Sequence, residues 1–570
     1  MDRLAHPSVA ARLAALSADQ RAAATAPPGP VLCVAPAGSG KTTTLVARVA
    51  WLVDGGIDPA TIAAITFNRR AAEELEARLA DALAPLESPA GGVRVRTFHA
   101  LGREILRDAG RPVEPLVDRA RMLRRLFPTA DAGYRSRLDD AISRRKLDPD
   151  GRRARGPAPG TADVADTAID AAIDTYERAV GRTGGLDFDD LVAGALRVLD
   201  HEPGVLAHWR ARCAHLLVDE VQDVDASQLR LALLLASPAH RIFLVGDDDQ
   251  SIYGWRLADV RRVLGLAATL PGLRRVDLVT NRRCPPVVVE RAVRLVEHNR
   301  ERFAKDVRAA PNARGRLVVA AEGADEETTL RRVVASWPDD GTHAILARTN
   351  RELLAGLAVA LEEGIPFRAD RLPELATDPR VDALLDGAAR ADAGLPPGAR
   401  VLVAARRIAT EAARAASVAG ARPIHQRDDD HSDPAGEDDD RGPLDTIAAA
   451  VLGWLARRGT LEATAAAVAE ARTRLAALRR DDAALTLATA HSTKGLEFDD
   501  VAVVGMSEGR FPSARTLADA SDPGRALEEE RRLAYVAWTR ARRSLTLICD
   551  PGAPSRFLRE AFDPDELPAG

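Results

Sequence analysis

VLCVAPAGSGKTTTLVARVAWLV, residues 31–53, decides the fold. VLCVA is a short apolar, β-branched run of the kind that forms a buried strand, and LVARVAWLV repeats its apolar residues at helical spacing. A glycine-rich loop between strand and helix points backbone N–H groups at a phosphate seated on the helix N-terminus. The loop residues Pro36, Ala37, Gly38, Ser39, Gly40, Lys41, Thr42 and Thr43 are therefore expected to hold the phosphates of a nucleoside triphosphate. Lys41 reaches its β and γ phosphates, and the Thr42 hydroxyl faces Mg2+. Ala35 stands where the usual pattern has its first glycine. Gly38 and Gly40 remain where the backbone comes closest to the ligand.

Lys41 is one of only four lysines, with Lys146, Lys305 and Lys494; arginine fills the other 75 basic positions. A lysine surviving in so arginine-rich a chain marks a place that needs a compact ammonium with three donors instead of a planar fork.

HLLVDE at 215–220 ends a second apolar run in two adjacent carboxylates, at the strand end where open α/β sheets bind ligands. Asp219 is expected to hold the magnesium and Glu220 to orient or deprotonate the attacking water. VGDDDQSIYGWR at 245–256 is another strand end. Aromatic residues make up only 4% of the chain, yet Tyr253 and Trp255 sit there beside Arg256. Such a loop suits sequence-tolerant stacking on bases.

The 570 residues exceed a single domain and predict several. A net charge of -5 does not by itself announce a nucleic-acid binder, so phosphate contacts need arginines gathered along a groove. No apolar run is long enough to span a membrane and no export leader is visible, which sets the expectation of a cytoplasmic protein with no membrane partner. Cys33, Cys213, Cys284 and Cys549 lie far apart and read as reduced, buried thiols. The acidic cluster at 428–440 reads as a solvated loop.

Apolar runs followed by helical patterns recur at 31–35, 62–67, 93–98, 215–220 and 241–247. A second series comprises 276–280, 316–321, 344–348, 485–490, 501–506 and 545–549. That alternation predicts α/β architecture with two parallel sheets. Each series is interrupted once by a helical stretch, about 100–186 and 369–484, the first containing a Gly-Pro-rich turn at 151–160.

At this point the residues resemble the UvrD/Rep/PcrA-type superfamily 1 DNA helicases, nearly end to end. LSADQRAA at 16–23 resembles the Q motif, which implies that Gln20 reads the adenine edge. ITFNRRAAEEL at 65–75 and VRTFHALG at 95–102 are similar to two early single-strand contacts, implying Phe67, Asn68, Thr97 and His99 on DNA. The resemblance makes Gln250 a sensor of the γ-phosphate and puts Tyr253, Trp255 and Arg256 on DNA. LATAHSTKGLEF at 487–498 resembles motif V, placing Thr489 and His491 on DNA, Glu497 at the nucleotide sugar and Lys494 within the motif. EEERRLAYVAWTRARRSL at 528–545 is similar to motif VI and makes Arg540 an arginine finger. Where the family has Asn, an aromatic that stacks on adenine, then Arg, this chain has Asn281, Arg282 and Arg283. Arg283 keeps the second phosphate contact, and the Arg282 guanidinium can lie flat on a base.

The resemblance implies two RecA-like P-loop lobes, each interrupted by a mainly helical insertion. The expected first lobe is 1–99 and 187–277 around an insertion at 100–186. The expected second lobe is 278–368 and 485–570 around a shortened insertion at 369–484. It further implies an ATP-dependent DNA helicase moving 3′ to 5′ on single-stranded DNA, acting at junctions of single and double strands in repair or replication. The alternatives are a single-strand translocase that strips proteins without efficient unwinding, and an inactive helicase-fold scaffold. The few residues after motif VI set the expectation that no nuclease is attached.

Overall fold

The computed structural model describes residues 6–86, 92–148, 164–323, 326–369, 378–418, 447–448, 451–452, 455 and 458–569. The Gly-Pro-rich turn at 151–160 and the acidic cluster at 428–440 lie outside the described residues.

Six parallel strands form the first sheet: β1 (Val31–Val34), β2 (Ile62–Thr66), β3 (Arg94–Thr97), β4 (His215–Val218), β5 (Ile242–Gly246) and β6 (Arg274–Asp277), in the order β3-β2-β4-β5-β1-β6. The inner strands are buried at every position, as strands covered by helices on both faces must be. Their side chains alternate between two cores. Leu32, Ile65, Val218 and Leu244 pack on one face with Phe98, Ile105 and Trp209. Cys33, Ala64, Leu217 and Phe243 pack on the other with Leu45, Val49 and Leu79. Each buried Val, Leu, Ile or Phe side chain among them contributes about 1.5–3 kcal/mol.

A short parallel pair follows, β7 (Thr280–Asn281) with β8 (Arg308–Ala309). The second sheet comprises β9 (Arg316–Ala321), β10 (His343–Ala347), β11 (Phe367–Arg368), β12 (Leu485–Thr489), β13 (Phe498–Val503) and β14 (Ala541–Cys549). Its order is β11-β12-β10-β13-β14-β9, again parallel throughout. Leu346, Val503 and Leu547 face the helices Pro286–Val296 and Pro523–Trp538, while Ile345, Ala502 and Ile548 face the opposite core.

One strand departs from the sequence expectation. The run at 276–280 was expected to open the second series, but Arg274–Asp277 pairs with β1 at the edge of the first sheet. The polypeptide leaves that sheet only after Asp277. Arg274 and Arg275 are exposed, as an edge strand allows, and this removed the apolar signature of its first half.

Between β3 and β4 the helices Arg119–Leu126, Ala132–Leu147 and Val164–Thr183 share a small core of Leu123, Leu138, Ile142, Ile173 and Tyr176. Between β11 and β12 the helices Pro379–Ala389, Pro397–Val418 and Leu461–Leu478 are described, with Val381, Leu384, Val401 and Val468 in contact. All four cysteines are buried and unpaired. Among the described residues no helix is long and apolar enough to cross a membrane.

Candidate functional site

The neighbouring strands β4, β5 and β1 end side by side, so the 35–40 loop, Asp219–Glu220 and Asp247–Gln250 converge at one edge of the first sheet. Facing them are Arg282 and Arg283, Glu497 and Arg540 from the second half of the chain. Lys41, Thr42, Glu220, Gln250, Arg283 and Arg540 all line a single cavity of about 1580 Å³.

Local backbone geometry explains the loop's composition. Gly38 has φ +67°, and a Cβ there would lie 2.7 Å from both Arg283 Cβ and Asn281 Oδ1. Only glycine admits both the left-handed backbone and this approach. Arg282 N donates to Gly38 O at 2.9 Å, which fastens the segment carrying Arg283 onto the loop. Gln20 is buried; its Nε2 donates to Ser39 O at 2.7 Å, and its Oε1 accepts from Ser17 N at 3.1 Å. Thr43 Oγ1 accepts from Arg78 Nη2 at 2.9 Å.

Lys41 Nζ sits 3.3 Å from Glu220 Oε1. Glu220 adopts φ +51°, a left-handed conformation unusual outside glycine, of the kind that concentrates at functional sites. Its Oε2 accepts from Gln222 Nε2 at 2.5 Å. Burial opposes its ionisation, but Lys41 and Lys494 outweigh it and hold the carboxyl well below its usual range. Burial, then the Glu220 charge, push Asp219 the other way, up to about 7. Asp219 is thus a buried carboxyl at the strand end, with Lys41 and Lys494 only partly offsetting its burial. Together with the Thr42 hydroxyl it fits magnesium, which takes one or two protein oxygens and completes its shell with phosphate and water.

Across the cavity Arg540 is 1% exposed, and three of its hydrogen bonds reach beyond its neighbour Thr539. Its Nε donates to Val536 O at 2.8 Å, Nη1 to Leu496 O at 3.0 Å and Nη2 to Gln250 Oε1 at 3.2 Å. Burial, then the Arg283 charge, lower its pKa to about 9, so it stays protonated at neutral pH. Arg283 donates to Glu497 Oε2 at 2.7 Å and to Thr539 O at 3.2 Å. Glu497 also pairs with Arg542. Arg282 is exposed at the cavity wall.

Aromatic residues occupy a separate surface. Phe67 stacks on Tyr253 at 4.8 Å and 17°, Tyr253 meets Trp255 edge-on at 6.1 Å, and Arg256 lies 4.6 Å over the Trp255 ring. Trp255 is 57% exposed. His99 stacks on Phe188 at 3.9 Å, and Phe188 is 49% exposed. Burial keeps His99 neutral with a pKa of about 4; burial and Arg348 bring His491 to about 3. Asn68 and Thr97 serve as N-caps of the helices Arg69–Leu83 and Phe98–Asp108, accepting from Ala71 N at 2.8 Å and Ala100 N at 3.2 Å. Thr489 Oγ1 lies 3.3 Å from Ser492 Oγ.

Residues 16–271 match the UvrD/REP helicase N-terminal domain, and residues 466–550 match the UvrD-like helicase C-terminal domain. The chain is 30% identical to the ATP-dependent DNA helicase UvrD2 of Mycobacterium tuberculosis (strain ATCC 25618 / H37Rv), over 96% of this chain and 81% of that protein. It is 29% identical to DNA helicase II of Escherichia coli (strain K12), over 94% of this chain and 84% of the relative. The chain belongs to the UvrD-like helicase family.

Within this UvrD-like scaffold each of the four lysines meets acidic groups. Lys41 faces Glu220, and Lys494 pairs with Asp223 while donating to Gln250 O at 2.6 Å. Lys146 lies 2.8 Å from both Asp187 and Asp190, and Lys305 lies within 2.9 Å of Asp247, Asp248 and Asp249. A small ammonium can donate to carboxylates from several directions through its three N–H groups, whereas a guanidinium donates only in its own plane.

Sequence reasoning missed Arg78, Phe188 and the partners of Lys146 and Lys305. Phe188 left one usable signal: an aromatic directly after the helix-capping Asp187, in a chain with 11 phenylalanines. Arg78 left none, being one of three arginines on its helix.

Proposed function

We propose that this chain is an ATP-dependent DNA helicase that moves 3′ to 5′ along single-stranded DNA and opens duplex ahead of it. The observation that carries this reading is the single cavity lined by Lys41, Glu220 and Gln250 from one sheet and by Arg283 and Arg540 from the other half of the chain.

The 35–40 loop and Lys41 bind the phosphates of ATP. Thr42 and Asp219 would hold magnesium, which would neutralise charge on the phosphate oxygens. Glu220, ionised beside Lys41, orients the attacking water and accepts its proton. Arg283 and Arg540 meet the negative charge that develops on the transferred phosphoryl group, the role of an arginine finger. Because these groups come from opposite walls, nucleotide binding draws the walls together and product release lets them part.

Trp255, Tyr253 and Phe67 stack on bases, with Phe188 and His99 forming a second stacked pair, and Thr489 and His491 contacting the strand from the other half of the chain. Opening one base-pair step costs about 1.4 kcal/mol, comparable with the ~1–3 kcal/mol of one aromatic stack. Stacking holds opened strands but gives no direction; hydrolysis supplies it. Strand displacement on duplexes with a 3′ or a 5′ tail tests the reading. Unwinding of the 3′-tailed duplex alone supports it, and the absence of ATP-dependent displacement on either refutes it.

A further inference from the structure

The side chain of Lys305 is 1% exposed and places its ammonium 2.7 Å from Asp247 Oδ1, 2.6 Å from Asp248 Oδ1 and 2.9 Å from Asp249 Oδ2. Arg302 adds an ion pair to Asp249 at 2.9 Å, and Phe303 N donates to Asp248 Oδ2 at 2.8 Å. The three aspartates follow β5 of the first sheet, whereas Lys305 precedes β8, whose partner β7 ends two residues before Arg283. One strand pair thus carries Arg283 on one side and anchors itself to the Gln250 loop on the other.

Asp247 connects the two. While Oδ1 accepts from Lys305, Oδ2 accepts from Gln250 Nε2 at 2.7 Å. The Gln250 amide is thereby polarised, donor toward Asp247 and acceptor toward Arg540 Nη2 at 3.2 Å. An ionised Asp247 can only accept, so it fixes which end of the amide faces Arg540. A neutral Asp247 could donate instead, and a flipped amide would set an NH2 against the Arg540 guanidinium.

We propose that Lys305 is a positioning residue for Gln250, acting through Asp247, so that the segment bearing Arg283 also sets the side chain that Arg540 meets. This rests on the reading of Gln250 and Arg540 given above. A buried ion pair is weak evidence for a purely stabilising role, because apolar residues of similar volume do as well or better.

The test is a double-mutant cycle of Lys305→Met and Gln250→Ala, read as hydrolysis stimulated by single-stranded DNA, with KM for ATP and DNA affinity measured alongside. Lys305→Met/Asp248→Asn, which leaves the net charge of the cluster unchanged, carries the same cycle if the single variant does not fold. Lys305→Met is expected to lower kcat by about 10-fold or more, with KM for ATP and DNA affinity within about 3-fold of the parent, and to change Gln250→Ala by less than about 2-fold. The proposal is overturned by an unchanged kcat, by falls that multiply in the combined variant, or by failure of both Lys305 variants to fold. A parent chain without DNA-stimulated hydrolysis, or a Gln250→Ala variant as active as the parent, would instead break the functional reading itself.

Discussion

Arg540 and Gln250 lie 290 positions apart in sequence and touch across the cavity, Nη2 to Oε1 at 3.2 Å. Every other hydrogen bond of that guanidinium stays within its own half of the chain, so this contact reports directly on how the two walls are set. Arg540→Ala is expected to lower DNA-stimulated hydrolysis by about 10³–10⁵. Arg540→Lys should not restore it, since one ammonium cannot hold Val536 O and Leu496 O and still reach forward. Steady-state hydrolysis with and without single-stranded DNA checks both.

Glu220 and Lys41 separate chemistry from binding. Glu220→Gln keeps the shape and the Gln222 contact but removes the proton acceptor, so turnover should fall by about 10²–10⁴ while ATP still binds. Lys41→Ala should lose nucleotide affinity as well. Equilibrium binding of a fluorescent ATP analogue, set beside turnover, distinguishes them; retained turnover in Glu220→Gln would remove it as the base.

Trp255 is the most exposed large apolar side chain described. Trp255→Ala should weaken binding of single-stranded DNA by about 1–3 kcal/mol and reduce DNA stimulation, with KM for ATP little changed. Titration with a labelled oligonucleotide gives the first quantity and ATPase assays the second.

His99 and His491 give the fold an acid-side weakness. Their folded pKa values lie near 4 and 3, below the ~6.5 of the unfolded chain. Between those values the unfolded chain takes up a proton that the folded protein refuses. Stability therefore falls with pH below about 6.5, by up to ~1.4 kcal/mol per pH unit for each histidine. Above that pH neither contributes a slope. His99→Phe should flatten part of the dependence in denaturant melts taken from pH 5 to 8.

Much of the fold was legible because inner parallel strands such as VLCV and IFLVG are short, β-branched, continuously apolar runs, each followed by a helical pattern. Edge and two-residue strands were not. Arg274–Asp277 carries exposed arginines, and β7, β8 and β11 are too short to show periodicity. In the cleft, Lys41, Asp219, Glu220 and Gln250 were visible because each follows a strand end in a short motif. The carboxylate cages of Lys146 and Lys305 were not, since each lysine meets partners 41 to 58 positions away that only the folded backbone brings near.

The central claim is that one triphosphate is held between Lys41 on one wall and Arg283 and Arg540 on the other. A structure with a non-hydrolysable ATP analogue and single-stranded DNA tests it most directly. Both guanidinium groups are expected within about 2.7–2.9 Å of β- or γ-phosphate oxygens while Lys41 contacts the same phosphates. A filled loop at Lys41 with both arginines turned away from the phosphates would contradict the account.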